Sequence, residues 1–258
     1  MLLMPKISRV LVAFLLMVLV SCGSAPINQS VNDPAESLNR NVHKINRGLD
    51  RIALRPASKV YQVVPKPIRA GVSNFASNLK TPGMIINDLI QFKLKDASSN
   101  SARFIVNTTA GLGGLFDPAS NLGLPERYSD FGETLHVWGV REGPYVELPL
   151  FGPSTLRNTI GRMVDFASNP VRLLSESPEQ QVYAGTQMLK AIDQRGRFSE
   201  LVDSIMYDSE DSYAQARLLY LQQRREFLRK TDNKDNKEYI DPYNLSLIHI
   251  SEPTRRTP

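Results

Sequence analysis

Apolar positions fall into three patterns along the chain, and each predicts a different kind of element. The first is a solid block. Residues 11–20 are almost wholly apolar, follow Lys6 and Arg9, and end in Leu19-Val20-Ser21-Cys22. The second is periodic. Leu38, Val42, Ile45, Leu49 and Ile52 recur at steps of four, three, four and three, which puts one apolar stripe on a helix of four or five turns. Asp33 reads as its N-cap, with Pro34 at the first helical position and Glu36 closing a capping box. A core-facing stripe is the ordinary expectation. Pro56, Pro65 and Pro67 then argue against a long helix, and helices are predicted over 84–94 and 97–109.

The third pattern is the loss of helical period across 111–153, which is rich in glycine and proline. Residues 145–148 alternate and predict a short strand. Helices resume over 154–167, over 177–192 behind a Ser177-Pro178-Glu179-Gln180 capping box, and over 211–229, the last with a basic outer face. Residues 232–238 form a charged run that reads as a fraying end. The longest uncharged stretch beyond the N-terminal block is 104–116. It falls short of the ~20 residues of a membrane-spanning helix. It is either a buried helix running into a glycine turn or a segment lying against a bilayer.

Cysteine usage changes the picture at the N-terminus. Cys22 is the one cysteine of the 258 residues, so disulfides are excluded. A basic n-region, an apolar h-region and a small residue before a cysteine make a secretory signal. Its ending matches the bacterial lipobox, which predicts cleavage before Cys22 and a covalent diacylglycerol and N-acyl chain on it. A free thiol in an exported protein is reactive, so a lone one at this position is best read as consumed. Residues 1–21 are thus the expected signal peptide and 22–32 a polar, lipidated tether. One helical domain is expected over 33–230, and a charged, disordered segment over 231–244.

The far end resembles the translation of a transposase sequencing adapter from Leu245 to Arg255. Residues 245–258 are therefore expected to be read-through and are set aside, His249 included. Removing the two cations of the signal segment and the net +1 of this tail leaves +2 of the formal +5. So small an excess gives no support for a nucleic-acid partner.

Candidate chemistry is sparse. His43 and His136 stand without cysteine or carboxylate neighbours at metal-ligand spacing, so no metal or cofactor is expected. No Gly-x-Ser-x-Gly elbow is present, and the glycine cluster lacks the Gly-Lys-Ser/Thr of a phosphate loop. Asp117, Asp130 and Asp165 adjoin turns, where a carboxylate more often caps a helix than moves protons. Trp138 suits a core or a membrane interface. These residues do not predict an enzyme.

An ordered series of motifs carries a resemblance over most of the chain up to Arg229. It begins with Asp33-Pro34-Ala35-Glu36, Asn39-Arg40, Asn46-x-x-Leu49-Asp50 and Leu54-Arg55-Pro56. Pro65, then Asn74-Phe75-x-x-Asn78-Leu79-x-x-Pro82, then Asn87 and Gln91 follow. The strongest block runs Arg103-Phe104-x-x-Asn107-Thr108-Thr109-x-Gly111-x-Gly113-Gly114-x-x-Asp117. Phe131-Gly132-Glu133-Thr134-Leu135-x-x-Trp138-Gly139-Val140, Gly143-Pro144-Tyr145-x-x-Leu148-Pro149, Gly152-Pro153-Ser154 and Arg157 come next, and Asp211-Ser212-Tyr213-x-x-x-Arg217-x-x-Tyr220 closes the series. In this the chain resembles the MlaA/VacJ outer-membrane lipoproteins.

The resemblance implies a mainly α, single-domain helical ring around an amphipathic channel, with a short Gly/Pro-rich hairpin loop. It implies placement in the inner leaflet of the outer membrane, facing the periplasm. The implied work is removal of mislocalised outer-membrane phospholipid to a soluble periplasmic carrier of the Mla type, with a trimeric porin as partner and phospholipid as ligand. On that reading Leu38, Val42, Ile45, Leu49, Asn74, Asn78, Asn107, Thr108 and Thr109 are candidates for the lipid path. Gly139, Gly143, Pro144, Tyr145, Leu148, Pro149 and Phe151 are candidates for the hairpin at the channel mouth.

Some positions depart from the family pattern. Lys44 and Ile45 stand where an aromatic is common, and Pro118 and Pro125 stiffen the segment after the glycines. Gly23 after the cysteine favours outer-membrane sorting. Two alternatives stay open: a passive porin-associated lipoprotein, and a periplasmic lipid hydrolase using Asp117, Asp130 or Ser154.

Overall fold

Helices form wherever the backbone finds no better partner than itself, and in this chain they form far more widely than the proline positions suggest. The computed structural model describes residues 31–171 and 179–232. Helix α1 spans Glu36–Leu49 and runs through a π-helical turn, Asp50–Leu54, into α2, Arg55–Tyr61. Pro56 follows directly on the π-helical turn, so the continuous helix lacks one N–H at that point. Helix α3 is a 25-residue element, Lys66–Ile90, with Pro65 at its N-cap, Pro67 in its first turn and Pro82 inside it. It extends the predicted 84–94 helix by nearly five turns toward the N-terminus.

A tight reversal with Phe92 at φ 58° leads into α4, Leu94–Thr109. Short helices α5, Pro118–Asn121, and α6, Phe131–Val137, follow. The predicted strand is present as β1, Tyr145–Leu148, paired antiparallel with β2, Gly152–Thr155, with Tyr145 opposite Thr155 and Leu148 opposite Gly152. Thr155 then caps α7, Leu156–Ser168. After α8, Glu179–Arg197, come α9, Ser199–Asp203, a second π-helical turn, Ser204–Asp208, and α10, Ser212–Asp232. The α3 helix packs on α4 and α8, and α6 packs on α7. Cys22, residues 22–30 of the tether, the Ser177 cap and residues 233–258 lie outside the described residues, while 231–232, expected to be disordered, close helix α10.

Two local expectations fail for one reason. Asp33 does not cap α1: the N-cap is Ala35, which makes no side-chain cap bond. Asp33 instead accepts hydrogen bonds from Asn39 Nδ2 at 2.8 Å and from the Tyr213 hydroxyl, and pairs with Arg217. The apolar stripe of α1 faces outward too. Leu38, Ile45 and Ile52 are 63%, 58% and 73% exposed, whereas Asn39, His43 and Asp50 are buried.

The polar face of α1 wins because it has bonds to make. Asn39 bridges the Tyr145 carbonyl and the Glu147 N–H, and His43 meets Glu147 at 3.2 Å and Ser212 at 3.1 Å. Asn46 holds the Leu148 carbonyl and the Leu150 N–H at the hairpin tip. A polar group buried without partners is penalised, so the fully bonded face is the one that can turn inward.

That inversion extends across the molecule. Among the described residues nine hydrophobic side chains are buried, against twenty-seven polar or charged ones. In a water-soluble domain the large apolar residues lead the buried set. The 104–116 segment follows the inverted pattern: Arg103 and Asn107 point in, while Ile105, Leu112 and Phe116 are exposed. The interior is therefore held by paired charges. Arg69 and Arg197 converge on the fully buried Asp193, Arg195 on Asp50 and Asp203, and Arg224 on Asp130. Helix α10 was expected to carry its basic residues outward, yet Arg217 and Arg224 turn inward to these carboxylates.

Candidate functional site

A polar cavity of about 160 Å³ opens between α3, α4 and α8. Helix α3 supplies Ser73, Asn74, Ser77, Asn78 and Thr81, residues a helical turn apart along one face. Helix α4 adds Arg103 and Asn107, the segment around α5 adds Asp117 and Glu126, and α8 adds Lys190, Gln194 and Arg197. Much of this wall is rigid. Arg103 reaches Asp117 at 2.6 Å and the Leu124 carbonyl at 2.7 Å, and Asn107 Nδ2 donates to Asp117 at 3.0 Å. Burial raises the Asp117 carboxyl, but hydrogen bonds from Ser120, Arg103 and Asn107 outweigh it and hold the group below its ordinary range.

The expected lipid-path residues divide. Asn74, Asn78 and Asn107 line the cavity, and Thr108 lies behind it, accepting from Asn78 Nδ2 at 3.0 Å. Thr109 is exposed and spends its hydroxyl on the Ile105 carbonyl. Leu38 and Ile45 face outward on α1, and Val42 and Leu49 are half-buried there; none of the four lines the cavity.

The hairpin candidates divide as well. Gly139, Gly143 and Gly152 take positive φ at turns, as does Leu150 at the hairpin tip, and Leu150 and Phe151 are strongly exposed. Pro144 and Leu148 are half-buried, and Pro149 is exposed. Tyr145 corrects the expectation of lipid-compatible surface. It is 1% exposed, packs edge-on against Tyr213 and bonds Glu147 through its hydroxyl. Its alternation in the sequence is real, but its aromatic face belongs to the small buried cluster with Leu221.

Sequence reasoning passed over Ser73, Ser77, Thr81, Glu126, Lys190, Gln194 and Arg197. A signal existed in α3: the spacing of Asn74, Ser77/Asn78 and Thr81 is a polar stripe at helical period, as telling as an apolar one. The α8 residues carried no local signal, because only the packing of α8 onto α3 brings them to the cavity. Lys80 stands near it with an open path to solvent. Desolvation and the nearby Lys190 lower its ammonium to about 8, with Glu126 and Asp165 opposing.

The candidate hydrolytic groups are otherwise engaged. Asp130 caps α6 through the Glu133 N–H and binds both terminal nitrogens of Arg224 at 2.7 and 2.8 Å. Asp165 accepts from the Phe131 N–H and Asn87. Ser154 is fully buried. Asp117 caps α5. Among the described residues no cluster of His, Cys, Asp and Glu could hold a metal, and no helix is long and apolar enough to cross a membrane.

A helical body with many large apolar side chains exposed, a largely polar interior and a polar cavity defines a helical protein with a partly inverted side-chain distribution. Residues 31–227 match the family model described as MlaA lipoprotein, and the chain belongs to that family. It is 34% identical over 216 residues to the intermembrane phospholipid transport system lipoprotein MlaA of Shigella flexneri, covering 81% of this chain and 84% of that protein. An uncharacterised protein of Rickettsia felis is 34% identical over 189 residues, covering 72% of this chain and 74% of its own. A solved structure described as the structural basis for maintenance of bacterial outer membrane lipid asymmetry superposes with a TM-score of 0.65 at 32% identity. It covers 76% of this chain and 98% of that one.

Proposed function

We propose that this protein carries phospholipid out of the outer leaflet of the outer membrane and hands it to a soluble periplasmic carrier. The observation that supports this reading best is the inverted side-chain distribution. Large apolar side chains exposed on the body, with no spanning helix among the described residues, suit a body sunk into one leaflet. A polar interior offers a headgroup a route that hydrocarbon does not. A ring of helices around that route, attached to a trimeric porin, is the arrangement that fits best.

Lipid on Cys22 supplies placement. Each buried CH₂ contributes about 0.8 kcal/mol, and a single acyl chain binds only marginally, so the full set of acyl chains fixes the body at the membrane. Cys22→Ala is expected to give unprocessed or mis-sorted protein on fractionation.

The deciding measurement is outer-leaflet phospholipid in a deletion strain with and without this chain. Restored asymmetry on complementation is the expected result. Unchanged outer-leaflet phospholipid would overturn the transport reading and leave a passive porin-bound lipoprotein in its place.

A further inference from the structure

Most charges around the cavity are spent on the fold, and three groups are not. Lys190 Nζ donates to Ser77 Oγ at 2.6 Å and meets no carboxylate among the described residues. Glu126, half-buried on the cavity wall, forms no ion pair among the described residues. Asn78 is 5% exposed; its Nδ2 is satisfied by Thr108 and the Gly113 carbonyl, while its buried Oδ1 has no partner. Of the buried side-chain polar atoms without a partner among the described residues, Asn78 Oδ1 is the one that belongs to this wall, and such atoms call for a partner.

These three groups specify a complement. A phosphodiester alone satisfies Lys190 but is repelled by Glu126 and brings no donor to Asn78. A quaternary ammonium answers Glu126 but has no N–H for the Asn78 oxygen. A primary ammonium tethered to a phosphate answers all three. The cavity is also small, about 160 Å³, against the ~300–1,000 Å³ of sites that enclose a whole drug-sized ligand. It matches a headgroup with the acyl chains left outside.

Resting on the transport reading above, we propose that this cavity seats the headgroup of a zwitterionic phospholipid bearing a primary amine. The phosphate lies against Lys190, and the ammonium lies between Glu126 and Asn78 Oδ1.

The test uses the full-length lipidated protein purified in detergent. It is equilibrated with mixed micelles containing equal amounts of phosphatidylethanolamine, phosphatidylglycerol and phosphatidylcholine of one acyl composition. Lipid retained after size exclusion is quantified by mass spectrometry. The expected result is enrichment of phosphatidylethanolamine over each competitor by about threefold, the scale of a partly exposed ion pair. Glu126→Gln should bring the ethanolamine-to-glycerol ratio to about one by lowering phosphatidylethanolamine retention, and Lys190→Met should lower all three.

Equal capture by the unmodified protein, or an undiminished preference in Glu126→Gln, would overturn the proposal. Should a variant misfold, competition on the unmodified protein still decides. Glycerophosphoethanolamine, which lacks acyl chains, should displace phosphatidylethanolamine, and glycerophosphoglycerol should not; equal effects of the two would also overturn the proposal. Retention of no lipid at all would sink the transport reading with it, whereas lipid retained without headgroup bias sinks this inference alone.

Discussion

At the residue scale, this protein depends on buried carboxylates whose partners come from distant parts of the chain. Asp130 caps α6 and takes a two-point contact from Arg224, and that arginine holds its carboxyl below the ordinary range although burial pushes the other way. Asp130→Asn leaves Arg224 buried with half its attraction gone. Loss of roughly 3–5 kcal/mol is expected in chemical denaturation. Asp88 is the opposite case. Desolvation first, then the nearby Glu133 and Asp96, raise it to about 7 against an ordinary 3.8, with Asn100 and Ser129 pulling down. The folded state therefore binds the Asp88 proton more tightly than the unfolded chain does. Its contribution is fully present below about pH 4 and is lost as pH rises through about 7. Asp88→Asn should flatten that decline, gaining on the order of 2–4 kcal/mol at pH 8 relative to pH 4, read from melting temperatures across the range.

At the element scale, helix contacts are set by what the backbone can approach. Gly161 on α7 lies so close to Gly132 on α6 that an added Cβ would sit 2.6 Å from the Gly132 Cα. Gly161→Ala should force the two helices apart, costing about 1–3 kcal/mol or more. Gly185 on α8 meets nothing within 4 Å and has no positive φ, so Gly185→Ala should stabilise by about 0.5–1 kcal/mol. The pair of variants, melted side by side, separates packing from propensity. The elements legible in advance were those with a strong internal period or start signal: α1, the later part of α3, α4, β1, α7, α8 and α10. The first five turns of α3 were not legible. Its Asn, Ser and Gly residues have weak helix preference and Pro67 and Pro82 read as breakers, and packing against α4 and α8 decides the matter.

At the scale of the whole molecule, the outward apolar faces should act together. Replacing Leu38, Ile45 and Ile52 with asparagine removes exposed side chains and no bonded polar group, so the fold should melt unchanged. Membrane affinity should fall by about 1.5–3 kcal/mol for each side chain that was buried in lipid. Vesicle flotation of the Cys22→Ser chain, which isolates the body from its anchor, measures this. Equal flotation of the triple variant would mean that α1 faces something other than lipid.

The sequence by itself determined the helical class, the strand at 145–148 and the caps at Asp117 and Asp130. These depend on local order and spacing, which a linear chain displays directly. It also showed the α1 stripe, but not which way the stripe faces. A period of 3.6 separates two faces without saying which one meets solvent, lipid or core. Only the tertiary structure decided that, through bonds from Asn39, His43 and Asn46 to a hairpin a hundred residues away. The cavity is of the same kind. Lys190, Glu126 and Asn78 are meaningless apart, and become a site when α8 and the post-glycine segment close against α3.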